Sequence, residues 1–424
     1  MAHRAIREAD AKRLLSRSLK AQGFFKEYLR SIGVDASTDL ETLPRSYPWL
    51  AGGHLVVKPD MLFGKRGKKN MVQLDISWTD AKKFLKANIG KKEKVDGKEG
   101  KLDHWIVEPF VPHKEEFYLS IRASNGSDTL MFSPMGGINI EFNKDSVKTM
   151  EVPVGEGFDV ETLKEKLLVG VKDKVLKEHL ADFIMHVNKF FVDYDLVSLE
   201  MNPFTYTQEK TLRPLDLRVV LDDTAAFQQQ ANWGKDFSFP EAFGTVKGKE
   251  EQYIAELDAK TGASLKLKIL NPEGRIWTMV AGGGASVIYA DTIADLGHAD
   301  EMANYGEYSG NPNREMTREY ARTILEAMTR NPDKKGRPKI LLIGGGVANF
   351  TDVAKTFDGI IDAIREYKTA IQKSKVKIFV RRGGPNYKEG LRMMRNLGEE
   401  LKIPIEVYGP ETHMTYIVRK ALEQ

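Results

Sequence analysis

The sequence contains no cysteine. Disulfide bonds, thiolate metal sites, iron–sulfur clusters and a cysteine nucleophile are therefore excluded. Long hydrophobic runs are missing too. The longest charge-free apolar stretch runs from Ile276 to Ala290, is interrupted by three glycines, and is shorter than the ~18 residues that a membrane span needs. No apolar segment opens the chain, so we expect no secretory signal, no membrane partner and a cytoplasmic protein.

A strong charge of one sign is also absent. The chain has 64 Lys and Arg against 60 Asp and Glu, a formal net charge of +4. This balance fits the binding of small anions at least as well as the binding of nucleic acid. The eight histidines show no metal-ligand spacing, because His179 and His186 lie two turns apart on a predicted helix, not at the i, i+4 spacing of a zinc-binding helix.

The 424 residues are enough for two or three domains. The basic start of the chain predicts a first helix, and a second helix is predicted at 175–191. The strand-like runs of the first half predict an α+β domain, with strands at 54–58, 105–110, 117–121, 130–132 and 196–201. An aromatic- and glycine-rich stretch from Trp233 to Gly248 marks a junction. We therefore predict domains at 1–243 and 244–424.

The second half alternates between strands and helices. Predicted strands lie at 275–281, 339–343, 376–380 and 405–408, and predicted helices start at 285 and span 315–329, 348–372, 387–397 and 412–422. Such alternation predicts an α/β fold with a doubly wound parallel sheet. Ligands of such sheets bind beyond the carboxyl ends of the strands.

Glycine clusters follow three of these strands. The segment 340–350 (ILLIGGGVANF) runs from an apolar strand through three glycines into a predicted helix, with Asn349 and Thr351 in its first turn. Free amides at a helix start bind anions, although glycines that serve only tight packing are the alternative. Related patterns occur at 278–286 (TMVAGGGAS) and 379–385 (FVRRGGP). Arg381 and Arg382 point to opposite faces of a strand, so one of them would face the ligand crevice.

A basic, glycine-punctuated loop follows the strand at 54–58. Lys58, Lys65, Arg66 and Lys68 place compact positive charge beside flexible backbone, which suits the phosphates of a nucleotide. A solvated charge run is the alternative. Further along, the 200–203 segment (EMNP) and Asp216 supply oxygen ligands of the kind that Mg²⁺ takes together with phosphate oxygens and water.

These motifs, taken together, resemble a known family. The segments that carry the resemblance are 55–68 (LVVKPDMLFGKRGK), 106–113 (IVEPFVPH), 200–204 (EMNPF), 274–286 (GRIWTMVAGGGAS), 304–310 (NYGEYSG), 379–387 (FVRRGGPNY) and 411–415 (ETHMT). Over nearly its whole length the chain resembles the ATP-grasp and citrate-binding portion of the ATP-citrate lyase family. That family lies within the acyl-CoA synthetase superfamily, which includes succinyl-CoA synthetase. The resemblance implies an N-terminal ATP-grasp domain followed by a flavodoxin-like doubly wound domain.

The resemblance also implies substrates and binding residues. ATP and Mg²⁺ would bind in the first domain, with Lys58, Arg66 and Gly67 on the phosphates, Pro109 and Val111 on adenine, Glu116 on the ribose, and Asn202 and Asp216 on the metal. Citrate would bind in the second domain through Gly310, Asn349, Thr351, Tyr367 and Arg382. Tyr367 also falls on the apolar stripe of its predicted helix, so a core tyrosine is a competing interpretation.

In the family, ATP phosphorylates a histidine, the phosphoryl group passes to citrate, and coenzyme A displaces it to give citryl-CoA. The phosphohistidine, the coenzyme A site and the citryl-CoA lyase domain belong to modules that these 424 residues do not match. We therefore expect no catalytic residue in this chain and a larger partner subunit that carries those modules and binds most of the coenzyme A.

Three other functions stay open at this stage. The small subunit of a citryl-CoA synthetase would carry the same motifs, because it differs only in lacking the cleavage step. Succinyl-CoA synthetase fits less well, since the citrate-type motifs match at length. A non-catalytic nucleic-acid binder would use the basic loop and would show strongly salt-dependent affinity for DNA.

Overall fold

The chain divides into two units, Met1–Thr245 and Val246–Gln424. The structure is a computed structural model, and it describes residues 3–64, 66, 71–137, 146–235, 237–245, 248–260 and 262–423. The first unit combines antiparallel sheets with helices, and the second surrounds a mainly parallel sheet with helices. The mixed α/β class predicted from the sequence is confirmed.

Helices and short antiparallel strands build the first unit. Its strands are β1 (His3–Ala5), β2 (Ile32–Asp35), β3 (Leu55–Pro59), β4 (Gln73–Ile76), β5 (Lys92–Val95), β6 (Lys98–Lys101), β7 (His104–Pro109), β8 (Phe117–Ala123), β9 (Ser127–Ser133), β10 (Lys148–Pro153), β11 (Leu196–Tyr206), β12 (Leu212–Pro214) and β13 (Leu217–Asp222). Its helices are α1 (Glu8–Ala21), α2 (Leu43–Ser46), α3 (Trp78–Asn88), α4 (Val160–Lys166), α5 (Lys174–Asp193) and α6 (Gln230–Trp233). Short 3₁₀ turns lie at Pro48–Gly52 and Asp223–Ala225.

The large sheet of this unit has the strand order β1-β13-β11-β8-β9-β10, with β12 paired to β11. Successive residues of a strand face opposite sides, so Leu119 and Ile121 of β8 enter a core that α1 and α5 help to close. The opposite face of β8, β11 and β13 carries polar side chains. A second antiparallel sheet has the order β2-β7-β3-β4, and β5 pairs with β6 as a hairpin.

The second unit follows the predicted alternation closely. Its strands are β14 (Ser264–Ile269), β15 (Ile276–Ala281), β16 (Asn304–Ser309), β17 (Ile340–Gly345), β18 (Lys377–Arg381) and β19 (Ile405–Tyr408). Its helices are α7 (Lys249–Ala259), α8 (Gly283–Asp295), α9 (Arg314–Thr329), α10 (Val353–Glu366), α11 (Lys368–Lys373), α12 (Tyr387–Leu401) and α13 (Tyr416–Leu422), with a 3₁₀ turn at Ala299–Glu301.

The sheet of the second unit has the order β14-β16-β15-β17-β18-β19. Its five parallel strands therefore follow the flavodoxin-like order 2-1-3-4-5. Buried strands such as β17 are apolar on both faces, because Leu341 packs with α9, α10 and α12 while Leu342 packs with α8 and α13. The doubly wound prediction is confirmed. The sequence did not predict β16 or the antiparallel edge strand β14, whose lysines alternate with apolar residues.

Several predicted helix boundaries differ from the structure. The helix predicted at 412–422 begins at Tyr416, and the helix predicted at 387–397 continues to Leu401. The helix predicted at 348–372 begins instead at Val353, because the Asp352 carboxylate accepts the Lys355 amide and caps it there. It ends at Glu366, and the separate helix α11 follows Tyr367. The first helix likewise begins at Glu8, after the short strand β1, which pairs with β13.

Candidate functional site

A cavity of about 1080 Å³ lies in the first unit. Every described residue predicted for ATP and the metal lines it: Lys58, Arg66, Pro109, Val111, Glu116, Asn202 and Asp216. Gly67 lies outside the described residues, as do Lys65 and Lys68 of the basic loop. The polar face of β8, β11 and β13 adds Tyr118, Glu200 and Arg218. The predicted nucleotide residues thus share one cavity, although they are dispersed from position 58 to position 216.

Lys58 and Arg66 are held by three carboxylates, of which Glu108 and Asp216 line the cavity and Glu8 does not. Lys58 Nζ donates to Glu8 Oε1 at 2.7 Å and pairs with Glu108 Oε1 at 2.9 Å. Arg66 Nη2 donates to Glu8 Oε2 at 2.6 Å and to Asp216 Oδ1 at 2.8 Å. Both cations are buried and line the cavity, and protein carboxylates already pair with their charges.

The pKa directions follow from this pairing. Burial favours the neutral forms, yet Glu108 and Glu8 raise the pKa of Lys58, and Glu8 and Asp216 raise the pKa of Arg66. Although burial opposes its charge, Lys12, Lys58 and Arg66 hold the pKa of Glu8 well below its ordinary value. Lys58, Arg66 and Glu8 are therefore ionised at neutral pH.

Asn202 and Asp216 offer oxygen donors for Mg²⁺ in the same cavity. The Asn202 side-chain oxygen accepts the Gly137 amide at 2.7 Å, and Asp216 uses Oδ1 for Arg66. Among the described residues, no group of three or more His, Asp or Glu side chains forms a metal site. One carboxylate and one amide fit Mg²⁺, because this ion completes its octahedral shell with phosphate oxygens and water.

The segment from Pro109 to Glu116 lines another wall of the cavity. His113 Nδ1 bonds the Val111 carbonyl at 2.7 Å, and His113 Nε2 lies 3.3 Å from Glu116 Oε1. Gly137 packs against the Glu116 carboxylate with φ +85°, and a Cβ at that position would collide with it. Hydrogen bonds and packing at the 136–137 turn thus link the segment from Pro109 to Glu116 with Asn202.

A smaller cavity of about 320 Å³ lies at the carboxyl ends of the parallel strands in the second unit. Ala281 ends β15 and Gly282 follows it, Gly310 follows β16, and Arg382 follows β18. Thr351 also lines the cavity, so three of the five predicted citrate residues come together here. The crevice beyond the strand ends is where ligands of such sheets bind.

The two neighbouring arginines at the end of β18 have different surroundings. Arg381 donates to the carbonyls of Gly345, Pro410 and Thr412 and so fixes the 410–412 turn. Arg382 donates to the Gly346 carbonyl at 2.9 Å, is buried, and keeps its Nε without a hydrogen-bond partner. A buried, unsatisfied guanidinium N–H in a small cavity fits an anionic ligand.

The helix start that faces this cavity differs from the predicted one. Helix α8 begins at Gly283 with Gly282 as a cap that has no side chain, and Gly282, Gly284 and Ala285 line the cavity. The glycines at 344–346 belong instead to the end of β17 and to the loop that follows it. Thr351 and Asn349 therefore lie in the loop before α10, and the helix start that lines the cavity belongs to the 278–286 motif.

The structure does not bring Asn349 and Tyr367 to the cavity. Asn349 lies in the same loop as Thr351 but is not a lining residue. Tyr367 follows the last residue of α10, so the 14-residue helix, about 20 Å long, separates it from the strand ends. Tyr367 packs against the core on one face of the sheet, which agrees with the competing core interpretation.

The sequence did not predict the positions of Glu8, Lys12, Asp60 and Glu108 in or beside the nucleotide cavity. Glu8 and Lys12 stand four residues apart on α1, and this i, i+4 spacing was a visible signal of an ion pair on a helix face. Asp60 receives the Glu8 and Ala9 amides, and burial together with Glu8 raises the pKa of Asp60 to about 6. Glu108 had no local signal, because its partners are distant in sequence.

No helix within the described ranges is long and apolar enough to cross a membrane.

Comparison with known proteins assigns the two units to a class. The model of the ATP-citrate synthase ATP-grasp domain matches residues 2–233, and the model of the ATP citrate lyase citrate-binding domain matches residues 246–424. The two matches therefore define a two-domain chain that joins a domain of the ATP-grasp class to a domain of the citrate-binding class.

The relatives extend this match over the whole chain. ATP-citrate synthase alpha chain protein 2 of Arabidopsis thaliana is 49% identical over 423 residues, covering 100% of this chain and 99% of the plant chain. ATP-citrate synthase of Homo sapiens is 46% identical over 425 residues, and the match covers 100% of this chain and 38% of the human one. This chain belongs to the ATP-citrate synthase family, whose members are enzymes.

A solved structure agrees with this assignment. The ATP citrate lyase from Methanothrix soehngenii, determined in complex with citrate and coenzyme A, superposes with a TM-score of 0.90 at 48% identity and full coverage of both chains. The resemblance stated from the sequence is thus confirmed, and so is the ATP-grasp fold of the first unit.

Proposed function

We propose that this chain binds Mg-ATP in its first unit and citrate in its second, as a subunit of an ATP-citrate lyase. One observation carries the proposal. The seven described residues expected to bind nucleotide and metal, dispersed over the first unit, line a single cavity. The second cavity, with its buried guanidinium at the ends of parallel strands, supports the citrate part.

In the first unit, Lys58 and Arg66 bind the ATP phosphates, together with the Gly67 backbone. The Pro109–Val111 backbone binds the adenine edge, and the Glu116 carboxylate accepts hydrogen bonds from the ribose hydroxyls. Asn202 and Asp216 hold Mg²⁺, which neutralises charge on the phosphates when bound. Asp216 accepts from Arg66 through Oδ1, so the metal would either share this carboxylate with Arg66 or replace Arg66 there.

In the second unit, Arg382 donates to a citrate carboxylate through the N–H groups that the protein leaves open. The amides at the start of α8 receive a second carboxylate, and Thr351 and the Gly310 backbone orient the ligand. No lining residue of this cavity carries a carboxylate of its own. A trianion therefore meets hydrogen-bond donors and no like charge among the lining residues.

The chain supplies binding sites, and a larger partner supplies the remaining chemistry. The γ-phosphoryl group passes from ATP to a histidine of the partner and then to a citrate carboxylate. The thiol of coenzyme A, bound mainly by the partner, displaces the phosphate to give citryl-CoA, which a lyase module cleaves to acetyl-CoA and oxaloacetate. The 38% coverage of the human relative supports a partner with further domains. The complex would act in the cytoplasm.

Affinity purification of the chain from its native cells, with the products assayed on the complex, tests this proposal. With ATP, Mg²⁺, citrate and coenzyme A, the complex should form acetyl-CoA and oxaloacetate, and the isolated chain should form neither. Accumulation of citryl-CoA without oxaloacetate would assign the complex to citryl-CoA synthetase instead. Citrate cleavage by the isolated chain, or salt-dependent DNA binding without binding of Mg-ATP or citrate, would contradict the proposal.

A further inference from the structure

The first turn of helix α1 is attached to the strand that carries Lys58. Arg7, the residue before the helix, gives no side-chain cap. Instead Asp60, just beyond β3, accepts the Glu8 amide at 2.6 Å and the Ala9 amide at 3.0 Å. An acceptor from another element thus fixes the helix start where a local N-cap is missing.

From this turn, Glu8 and Lys12 extend into the protein as a buried ion pair of 2.8 Å. Glu8 bonds both phosphate-binding candidates, with Oε1 toward Lys58 and Oε2 toward Arg66. Neither Glu8 nor Lys12 lines the nucleotide cavity. Their contacts with the nucleotide site run entirely through its lining residues.

Lys12 connects the other two parts of the cavity. Its Nζ pairs with Glu108 Oε2, and Glu108 immediately precedes Pro109, whose backbone is proposed to bind adenine. The same Nζ donates at 3.1 Å to the carbonyl of Leu215, which precedes the metal candidate Asp216. One turn of α1 therefore touches the phosphate-binding, adenine-binding and metal-binding segments together.

We propose that Glu8 and Lys12 are positioning residues for ATP, which orient Lys58, Arg66 and the Leu215–Asp216 peptide without touching the nucleotide. The inference rests on the proposed function, because it assumes that ATP occupies this cavity. Glu8 shares Arg66 with Asp216, so it keeps Arg66 in place when Asp216 turns to the metal. A charge whose only role was to neutralise Lys58 and Arg66 would act oppositely, since its removal would strengthen phosphate binding.

Calorimetric titration of Mg-ATP into the full chain tests the proposal, with Glu8→Gln and Lys12→Gln as variants. We expect the dissociation constant to rise about tenfold or more for Glu8→Gln and severalfold for Lys12→Gln. Glu8→Asp, which keeps the charge, should restore part of the affinity. Asp10→Asn removes the exposed pair with Arg13 on the same helix and should change the constant by less than twofold.

Citrate titration into the same samples reports only on the second unit. Thermal unfolding followed by tryptophan fluorescence reports whether the first unit of each variant is folded, because four of the five tryptophans lie there. An unchanged citrate constant and a folded first unit beside weakened Mg-ATP binding support positioning. Mg-ATP binding within twofold of the unmodified chain, or tighter, in a Glu8→Gln variant that binds citrate normally would overturn it. If the unmodified chain binds no Mg-ATP, the nucleotide part of the proposed function fails instead.

Hydrogen exchange on the unmodified chain gives a readout that needs no variant. Saturating Mg-ATP should slow exchange of the Glu8 and Ala9 amides, which bond to Asp60 outside the nucleotide cavity. Unchanged exchange of these amides in a chain that binds Mg-ATP would overturn the proposal, even if neither variant folds.

Discussion

The two cavities treat positive charge in opposite ways. In the first unit, Lys58 and Arg66 are bonded to Glu8, Glu108 and Asp216. In the second unit, Arg382 is bonded to a backbone carbonyl, and no lining residue of its cavity is acidic. Carboxylates of the protein therefore neutralise the positive charge at the first cavity. No acidic lining residue neutralises Arg382 at the second cavity, which suits an anionic ligand.

The difference matches the ligands proposed for the two cavities. Mg-ATP brings its own cation, so a carboxylate such as Asp216 can change partners from Arg66 to the metal. Citrate brings only negative charge, and any carboxylate in its cavity would repel it. Single substitutions should therefore have graded effects in the nucleotide cavity and a severe effect at Arg382.

The largest expected effect is that of Arg382→Gln. Removing the buried guanidinium should weaken citrate binding roughly 100-fold, about 3 kcal/mol, since a desolvated charge partner is lost. Calorimetry with citrate measures the loss, and Mg-ATP binding should stay unchanged. Arg392→Gln, at an exposed pair with Glu389, is the matched control. If Arg382→Gln binds citrate as tightly as the unmodified chain does, the proposal that Arg382 binds citrate is wrong.

Asp216→Asn should have a smaller effect on the other cavity. Loss of the carboxylate should weaken Mg-ATP binding roughly tenfold, because the metal loses its charged protein ligand while Glu8 still holds Arg66. Chelating Mg²⁺ should lower ATP affinity in the unmodified chain and have little further effect in this variant. Asp193→Asn, at an exposed pair with Lys189, serves as control. Equal sensitivity of both proteins to the chelator would contradict the assignment.

Glu301 allows a comparison with an ion network that lines neither of these cavities. Burial opposes its charge, but hydrogen bonds from Arg275 and Arg337 lower the pKa of Glu301 to about 2. A lowered pKa contributes stability above the unfolded value of 4.5, and this contribution is lost as the pH falls toward 2. Glu301→Gln should therefore lower the free energy of unfolding by about 1–2 kcal/mol at pH 7.

Urea unfolding across pH measures this effect. The difference between Glu301→Gln and the unmodified chain should shrink between pH 4.5 and 2. Citrate binding at neutral pH should remain, since the network stabilises the unit without touching the ligand. A difference that grows on acidification would refute the sign of this contribution.

The smallest expected effect is that of Gly310→Ala. Gly310 lines the citrate cavity with φ +73°, a conformation that costs a residue with a Cβ about 1 kcal/mol. We expect a loss of about that size in stability and severalfold weaker citrate binding. Gly157→Ala, where a Cβ would meet no atom within 4 Å, should leave both unchanged in urea unfolding and calorimetry. A stabilised Gly310→Ala variant would contradict this.

The predictable parts of this protein are those whose signals are local. The alternation of strands and helices in the second half predicted the parallel sheet, and the opposite faces of consecutive strand residues predicted that one of Arg381 and Arg382 faces the crevice. The start of α10 was predicted five residues too early, because the helix begins just after the capping residue Asp352 and not directly after the three glycines. Local motifs also could not reveal that Glu108 pairs with Lys12, since that contact joins residues 96 positions apart.

A crossed binding experiment tests the central claim, that two separate anion sites lie on this one chain. Mg-ATP and citrate are each titrated into the unmodified chain, into Arg66→Gln and into Arg382→Gln. We expect the unmodified chain to bind both ligands, Arg66→Gln to bind Mg-ATP more weakly and citrate normally, and Arg382→Gln to bind citrate far more weakly and Mg-ATP normally. Loss of both ligands from one folded variant, or an unmodified chain that binds neither, would contradict it.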